Sequence, residues 1–136
     1  MKNKSLLKYA LEALKNSYSP YSNYKVGAAV LLKNGKIVKG TNIENASYGL
    51  TNCAERSALF ACYSMGYRHE DIEEIIVCTN NEIPSSPCGA CRQVIYELMD
   101  KDALVTLINP RLENTISLKV RDLLPYGFDG EKLNEA

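Results

Sequence analysis

Cys53-Ala54-Glu55-Arg56 and Pro87-Cys88-Gly89-Ala90-Cys91-Arg92 together offer three thiolates and one carboxylate. That set can hold a single zinc ion and still admit water. Structural zinc sites close with four protein ligands, whereas catalytic sites use three and keep the fourth position open. Zinc lowers the pKa of water bound there to about 7, so hydroxide is available at neutral pH. A glutamate that stands near the ion without ligating it can then carry protons. Taken alone, Cys88-x-x-Cys91 also fits a redox pair of the thioredoxin type, but that reading leaves Cys53-Ala54-Glu55 without a role. A closed site would need a fourth ligand, and the remaining candidates are poor. Cys62 lies nine residues after Cys53, about half a turn round the same helix, and should face away. Cys78 sits in an apolar run and reads as core. His69, the only histidine, stands among Arg68, Glu70 and Asp71 in a polar connection.

Cys-x-Glu followed by Pro-Cys-x-x-Cys is the thiolate form of the zinc deaminase signature, with the glutamate as general acid/base. Gly40-Thr41-Asn42-Ile43-Glu44-Asn45 lies upstream, and an arginine follows each cysteine motif. On these motifs the sequence resembles the small zinc-dependent cytidine deaminases over roughly Leu6 to Phe128. The resemblance implies one zinc ion per chain on Cys53, Cys88 and Cys91, with Glu55 as the proton carrier. It implies that Arg56 and Arg92 hydrogen-bond ligand sulfurs and offset the negative charge that three thiolates leave on one divalent ion. It assigns Asn42 and Glu44 to the sugar hydroxyls and the Ala54 backbone to the pyrimidine edge. Tyr24 falls where the family usually has phenylalanine packed near the base. Phe128 matches a C-terminal aromatic that in the family reaches a neighbouring subunit's site, and the family forms homotetramers. The activity implied is hydrolysis of cytidine and deoxycytidine to uridine, deoxyuridine and ammonia, as in pyrimidine salvage.

Some of this follows from chain geometry alone. Alternate residues of an extended segment point the same way, so Asn42 and Glu44 can face one ligand. Two residues apart in a helix, Cys53 and Glu55 would point to nearly opposite sides. Cys53 must therefore stand at the helix entrance, before the backbone turns helical. Both cysteine motifs then open helices, where free N–H groups and the helix dipole favour negative charge.

The elements that must position these residues can be read in order. Leu6, Leu7, Ala10, Leu11 and Leu14 recur at helical spacing, giving a first helix over about residues 4–17. A tyrosine-rich loop from Ser17 to Tyr24 leads to Val26–Leu32, an apolar run suited to a strand covered on both faces. Asn34-Gly35 marks a hairpin turn, with Ile37–Thr41 as the partner strand. A polar loop, Asn42 to Asn52, enters a helix running from about Cys53 to Met65. Glu74–Thr79 reads as a third strand, about Gly89 to Met99 as a helix with Val94, Ile95 and Leu98 inward. Leu104–Ile108 and Thr115–Leu118 read as two more strands, antiparallel because their link is short. Val120 to Phe128 reads as a short helix broken at Pro125. The fold class is α/β, one mixed five-stranded sheet with helices packed on it; the resemblance implies the three-layer cytidine-deaminase-like arrangement with helices on both faces.

At 136 residues the chain is long enough for one domain, residues 1–136, with a full core. Sixteen basic residues balance sixteen acidic ones, which argues against a polyanion-binding surface and a nucleic-acid editor. No apolar run approaches the ~20 residues of a membrane span, and the opening residues lack a signal peptide's apolar core. A cytoplasmic protein follows, and five cysteines there favour metal or catalysis over disulfides. Among enzymes, the nearest rival substrate is a cytosine-containing antibiotic such as blasticidin S. Asn42 and Glu44, suited to a sugar, argue against it.

Overall fold

Val26–Leu32 forms strand β1, and all seven of its residues are buried, as a run without a polar face requires. It turns through Asn34-Gly35 to pair antiparallel with Ile37–Thr41 (β2) and pairs antiparallel on its other edge with Ile72–Thr79 (β3). Leu104–Ile108 (β4) lies parallel to β3 and antiparallel to Thr115–Lys119 (β5), so the sheet order is β2-β1-β3-β4-β5. This computed structural model describes residues 4–111 and 115–130. Part of the short link expected between β4 and β5 therefore lies outside the described residues.

The period of two along β1 divides its side chains between two cores. Ala29 and Leu31 meet Leu6 and Ala10 of the first helix (α1, Lys4–Lys15), with Ile76, Cys78 and Ile108 from the neighbouring strands. Ala28 and Val30 face the opposite way, towards Ala58 and Leu59 of the helix Ala54–Ser64 (α2) and Ile95 of the helix Gly89–Leu98 (α3). The three layers are thus α1, sheet, and the α2/α3 pair. Truncating a fully buried side chain such as Leu59 to alanine would cost ~2–5 kcal/mol, from lost transfer energy and the cavity left behind. On α3, Ile95 is buried as expected, while Val94 and Leu98 are only partly covered. A last short helix, Val120–Leu123 (α4), stops two residues before Pro125.

Two glycines set how closely the helices approach the sheet. A Cβ at Gly40 would lie 2.4 Å from Ala58 N and 2.6 Å from Ala54 O, so only glycine lets the start of α2 sit on β2. Gly27 does the same for α1, where a Cβ would come 2.2 Å from Ala10 O. The cysteine motif at the entrance of α2 is held against the sheet by that contact.

The boundaries differ from the sequence expectation where charge or turn chemistry intervenes. α1 ends at Lys15, and β3 starts at Ile72 rather than Glu74. Ile72 pairs with Leu32 beyond an irregularity in the ladder, and Glu74 is buried with its carboxyl accepting from Thr106 Oγ1 at 2.5 Å. Two single 3₁₀ turns, Tyr48–Leu50 and His69–Asp71, interrupt connections read as plain loops. Among the described residues no helix is long and apolar enough to cross a membrane.

Candidate active site

Cys53 caps the N-terminus of α2 with an extended backbone (φ −78°, ψ 156°), and Cys88 caps α3 in the same way (φ −65°, ψ 167°). The expectation that Cys53 precedes the helix proper is met. Cys91 lies in the first turn of α3, and its N–H donates to Cys88 Sγ at 3.4 Å. The three sulfurs all fall within 4.8 Å of one another, with Cys53 and Cys88 Sγ 4.0 Å apart. Zinc–sulfur bonds of about 2.3 Å in tetrahedral geometry set sulfur–sulfur distances of about 3.8 Å, so the triad fits a zinc ion with little adjustment. It is the one such His/Cys/Asp/Glu group among the described residues. Cys62 and Cys78 are buried in the two cores on either side of the sheet. His69 is paired elsewhere, with Nδ1 2.6 Å from Asp100 Oδ1 and Nε2 3.1 Å from Glu70 Oε2.

The electrostatics suit a thiolate centre. The hydrogen bond from Cys91 is the largest cause pulling the Cys53 thiol down, and the Arg56 guanidinium reinforces it, to about 5 from an ordinary 9.0. Arg56 Nη2 donates to Cys53 Sγ at 3.2 Å. The Cys91 thiol is pushed up, because it holds the proton shared with Cys53 and is buried. Glu55, in the first turn of α2, is 5% exposed. Burial pushes its carboxyl up from 4.5, and the Cys53 charge adds to that. A carboxyl so placed can hold and release a proton closer to neutral pH than a solvated one.

A cavity of about 290 Å³ opens beside the sulfurs, and its wall brings Cys53, Ala54, Glu55 and Cys88 together with Tyr24, Asn42 and Glu44. Main-chain bonds lace residues 42–44 between Tyr18 and Asn52, from Tyr18 N to Asn42 O (3.1 Å) and from Asn52 N to Ile43 O (3.0 Å). The segment is extended, so Ile43 turns outward while Asn42 and Glu44 face the cavity. Asn42 also braces the site. Its Oδ1 accepts from Val26 N (3.0 Å) and Ser17 Oγ (2.5 Å), and its Nδ2 donates to Tyr24 O (2.8 Å). Glu44 accepts from the backbone N–H groups of Tyr21 (3.0 Å) and Ser22 (3.2 Å) and from the Ser22 hydroxyl. The Ser22 hydroxyl bond is the largest cause holding this carboxyl below its usual range.

Residues 1–107 match the family model for the cytidine and deoxycytidylate deaminase zinc-binding region. The chain belongs to that family. It is 48% identical, over 99% of its length and 100% of the relative's, to a cytidine deaminase from Halalkalibacterium halodurans. A cytidine deaminase from Sporosarcina psychrophila is 43% identical over 96% of this chain and 94% of its own. The fold matches the crystal structure of a cytidine deaminase from Burkholderia pseudomallei with a TM-score of 0.89 at 44% identity, covering 94% of this chain and 100% of that one.

Two residues carried over from the deaminase resemblance sit differently from the rest. Arg92 was expected on a ligand sulfur, yet its hydrogen bonds run to Pro87 O (2.8 Å), Ser86 Oγ (2.7 Å) and Leu123 O (2.9 Å). It lies on the side of α3 that faces the preceding loop and the end of α4, and it ties those two together. Phe128 is half exposed, with its carbonyl accepting from Gln93 Nε2, and it is not part of its own chain's cavity wall. Conversely, the cavity wall includes Pro87 of the second motif and also Val26, Thr51, Val77, Thr79 and Ser86, to which the sequence reading gave no role. Their one signal was position: Val77 and Thr79 alternate on the strand face that Val26 opposes.

Proposed function

We propose that the protein hydrolyses cytidine and deoxycytidine to uridine and deoxyuridine with release of ammonia, using one zinc ion held by Cys53, Cys88 and Cys91. The observation that carries this reading is the convergence of three sulfurs with a buried Glu55 carboxyl on the wall of one cavity. Zinc bound there supplies the chemistry of water acidified to a pKa of about 7. Glu55 takes the proton that the attacking water loses and delivers it to the ring nitrogen beside C4, which makes C4 electrophilic. The oxygen adds to C4, and Glu55 then takes the remaining proton from that new hydroxyl and passes it to the amino group. The C4–N bond breaks and ammonia departs. Glu55 is reset as each proton is passed on, which suits a carboxyl whose burial keeps it easily protonated.

Asn42 and Glu44 grip the sugar in this reading. Asn42 Oδ1 already accepts two bonds, so its contribution is the second Nδ2 hydrogen. Tyr24 packs its ring beside the base, and the Ala54 backbone holds the pyrimidine edge. Phe128, exposed on its own chain, completes a neighbouring copy's pocket in a homotetramer. The biological role is nucleoside salvage in the cytoplasm.

An absorbance assay over a substrate panel tests the proposal. Cytidine and deoxycytidine should be turned over far better than cytidine monophosphate, free cytosine or a cytosine-containing antibiotic. A 5′-phosphate would bring roughly two negative charges towards Glu44 and the thiolate centre. Free cytosine lacks the sugar contacts that position C4. Efficient turnover of the monophosphate would instead mark a nucleotide enzyme.

A further inference from the structure

Exposure alternates near the end of the described residues. Tyr126 is 99% exposed and Phe128 half exposed, whereas Gly127 and Asp129 are buried. Successive residues thus turn alternately to solvent and to the domain, as along a strand. The buried pair is fastened. Gly127 lies so close to the Tyr96 ring that a Cβ there would come 2.8 Å from Cζ and 2.9 Å from both Cε atoms. That ring is pinned, packed against the α2/α3 core with the Lys101 ammonium 3.8 Å from its centre. Lys101 Nζ also donates to Tyr96 O (2.5 Å) and pairs with Asp129 Oδ2 at 3.4 Å. Between the two anchors, the Phe128 carbonyl accepts from Gln93 Nε2 at 2.8 Å. The chain makes a strained turn to reach them. Tyr126 takes φ 57°, a left-handed conformation in which bulky residues are rarely found. It follows Pro125 in a turn closed by Gly127 N to Leu124 O (3.0 Å), at a position that ordinarily takes glycine or asparagine. Such strain persists where surrounding contacts fix the outcome.

Each copy of the chain also offers a seat for an aromatic ring. A hollow of about 370 Å³ beside Tyr21, Ser22 and Tyr48 shares Glu44 and Thr51 with the wall of the active cavity. The Tyr21 and Tyr48 rings meet edge to face with centres 6.2 Å apart, and both stand exposed. We propose that Tyr96 and Lys101 are positioning residues for the shared active site: they hold Gly127 and Asp129 so that Phe128 is presented, already ordered, to the cavity of a neighbouring copy; this rests on the homotetramer reading above. Ordering the arm during folding spares that cost when the copies meet. Helix α3 then serves two sites. Its entrance carries Cys88 and Cys91 for its own copy, and Gln93 and Tyr96 further along it aim an aromatic ring at the next.

The experiment coexpresses inactive Glu55→Gln chains with Gly127→Ala, Asp129→Asn or Phe128→Ala chains, and measures cytidine turnover, zinc content and Tm for each protein and each mixture. Gly127→Ala should keep about one zinc per chain and lose about tenfold or more in kcat/KM, because the added methyl pushes the arm off Tyr96. Asp129→Asn keeps the side-chain shape, should lose less, and carries the same comparison if Gly127→Ala does not fold. In each mixture turnover should rise above the sum of the two proteins alone, since the intact arm of a Glu55→Gln chain serves a cavity that retains Glu55. Adding Gly127→Ala to Phe128→Ala should cost less than about twofold further, because the arm then has no ring to aim. Wild-type kcat/KM in both Gly127→Ala and Asp129→Asn would overturn the proposal. So would a loss that the mixture fails to restore, or one that adds in full to the loss from Phe128→Ala, since either marks damage within the chain's own site. Phe128→Ala left unrestored in the mixture sinks the shared-site reading and the clamp with it. Restored Phe128→Ala beside unrestored Gly127→Ala and Asp129→Asn removes the clamp alone.

Discussion

Arg56 donates from Nη2 to Cys53 Sγ across 3.2 Å, one helical turn from the helix entrance that Cys53 caps. The contact places a fixed positive charge on one sulfur of the triad and helps hold that thiol down. Arg56→Ala should therefore weaken zinc retention or turnover by ~10–100-fold, the usual scale for partners that orient and tune metal ligands. Arg92→Ala should act differently, since its bonds run to Pro87, Ser86 and Leu123. It should lower Tm with a smaller change in metal affinity. Zinc titration alongside thermal unfolding separates the two.

The five cysteines should divide into three and two. Cys53→Ala, Cys88→Ala and Cys91→Ala should each lose zinc, whereas Cys62→Ala and Cys78→Ser should keep about one ion per chain. Burial pushes the Cys62 and Cys78 thiols from 9.0 up to about 11, so neither should react with a thiol reagent in the native protein at pH 8. Because folding raises these pKa values, their stabilising contribution is complete below pH 9.0 and is lost as pH rises through about 11. Alkaline unfolding followed by circular dichroism should show that loss, with a shallower slope in Cys78→Ser. A zinc requirement for Cys62 would contradict the three-ligand assignment.

The strands and the cysteine cluster were legible in the sequence because their signals are local. Val26–Leu32 is an unbroken apolar run, and a cysteine spacing places its own helix starts. Glu74 shows where locality fails. A charged residue ordinarily ends a buried strand, and here the Thr106 hydroxyl, on a strand distant in sequence, makes its burial tolerable. Arg92 carries a parallel lesson. Its adjacency to Cys91 suggested a sulfur partner, but side-chain direction on α3 turned it towards the preceding loop.

A shared active site is expected from Phe128, which is 51% exposed and stands outside the cavity of its own chain. Mixing inactive Glu55→Gln chains with Phe128→Ala chains of low activity should restore turnover above the sum of the two alone. The homotetramer should be evident in light scattering. A fully active monomer would refute the shared site.

The central claim is that Glu55 moves protons for cytidine hydrolysis beside a zinc ion that it does not ligate. The decisive measurement is uridine formation from cytidine by wild type and by Glu55→Gln, with zinc content determined on the same samples. The account predicts about one zinc per chain in both proteins and a fall in turnover of at least ~10²–10⁴-fold in the variant, the scale of general acid–base catalysis. Near-wild-type uridine formation by zinc-loaded Glu55→Gln would contradict it.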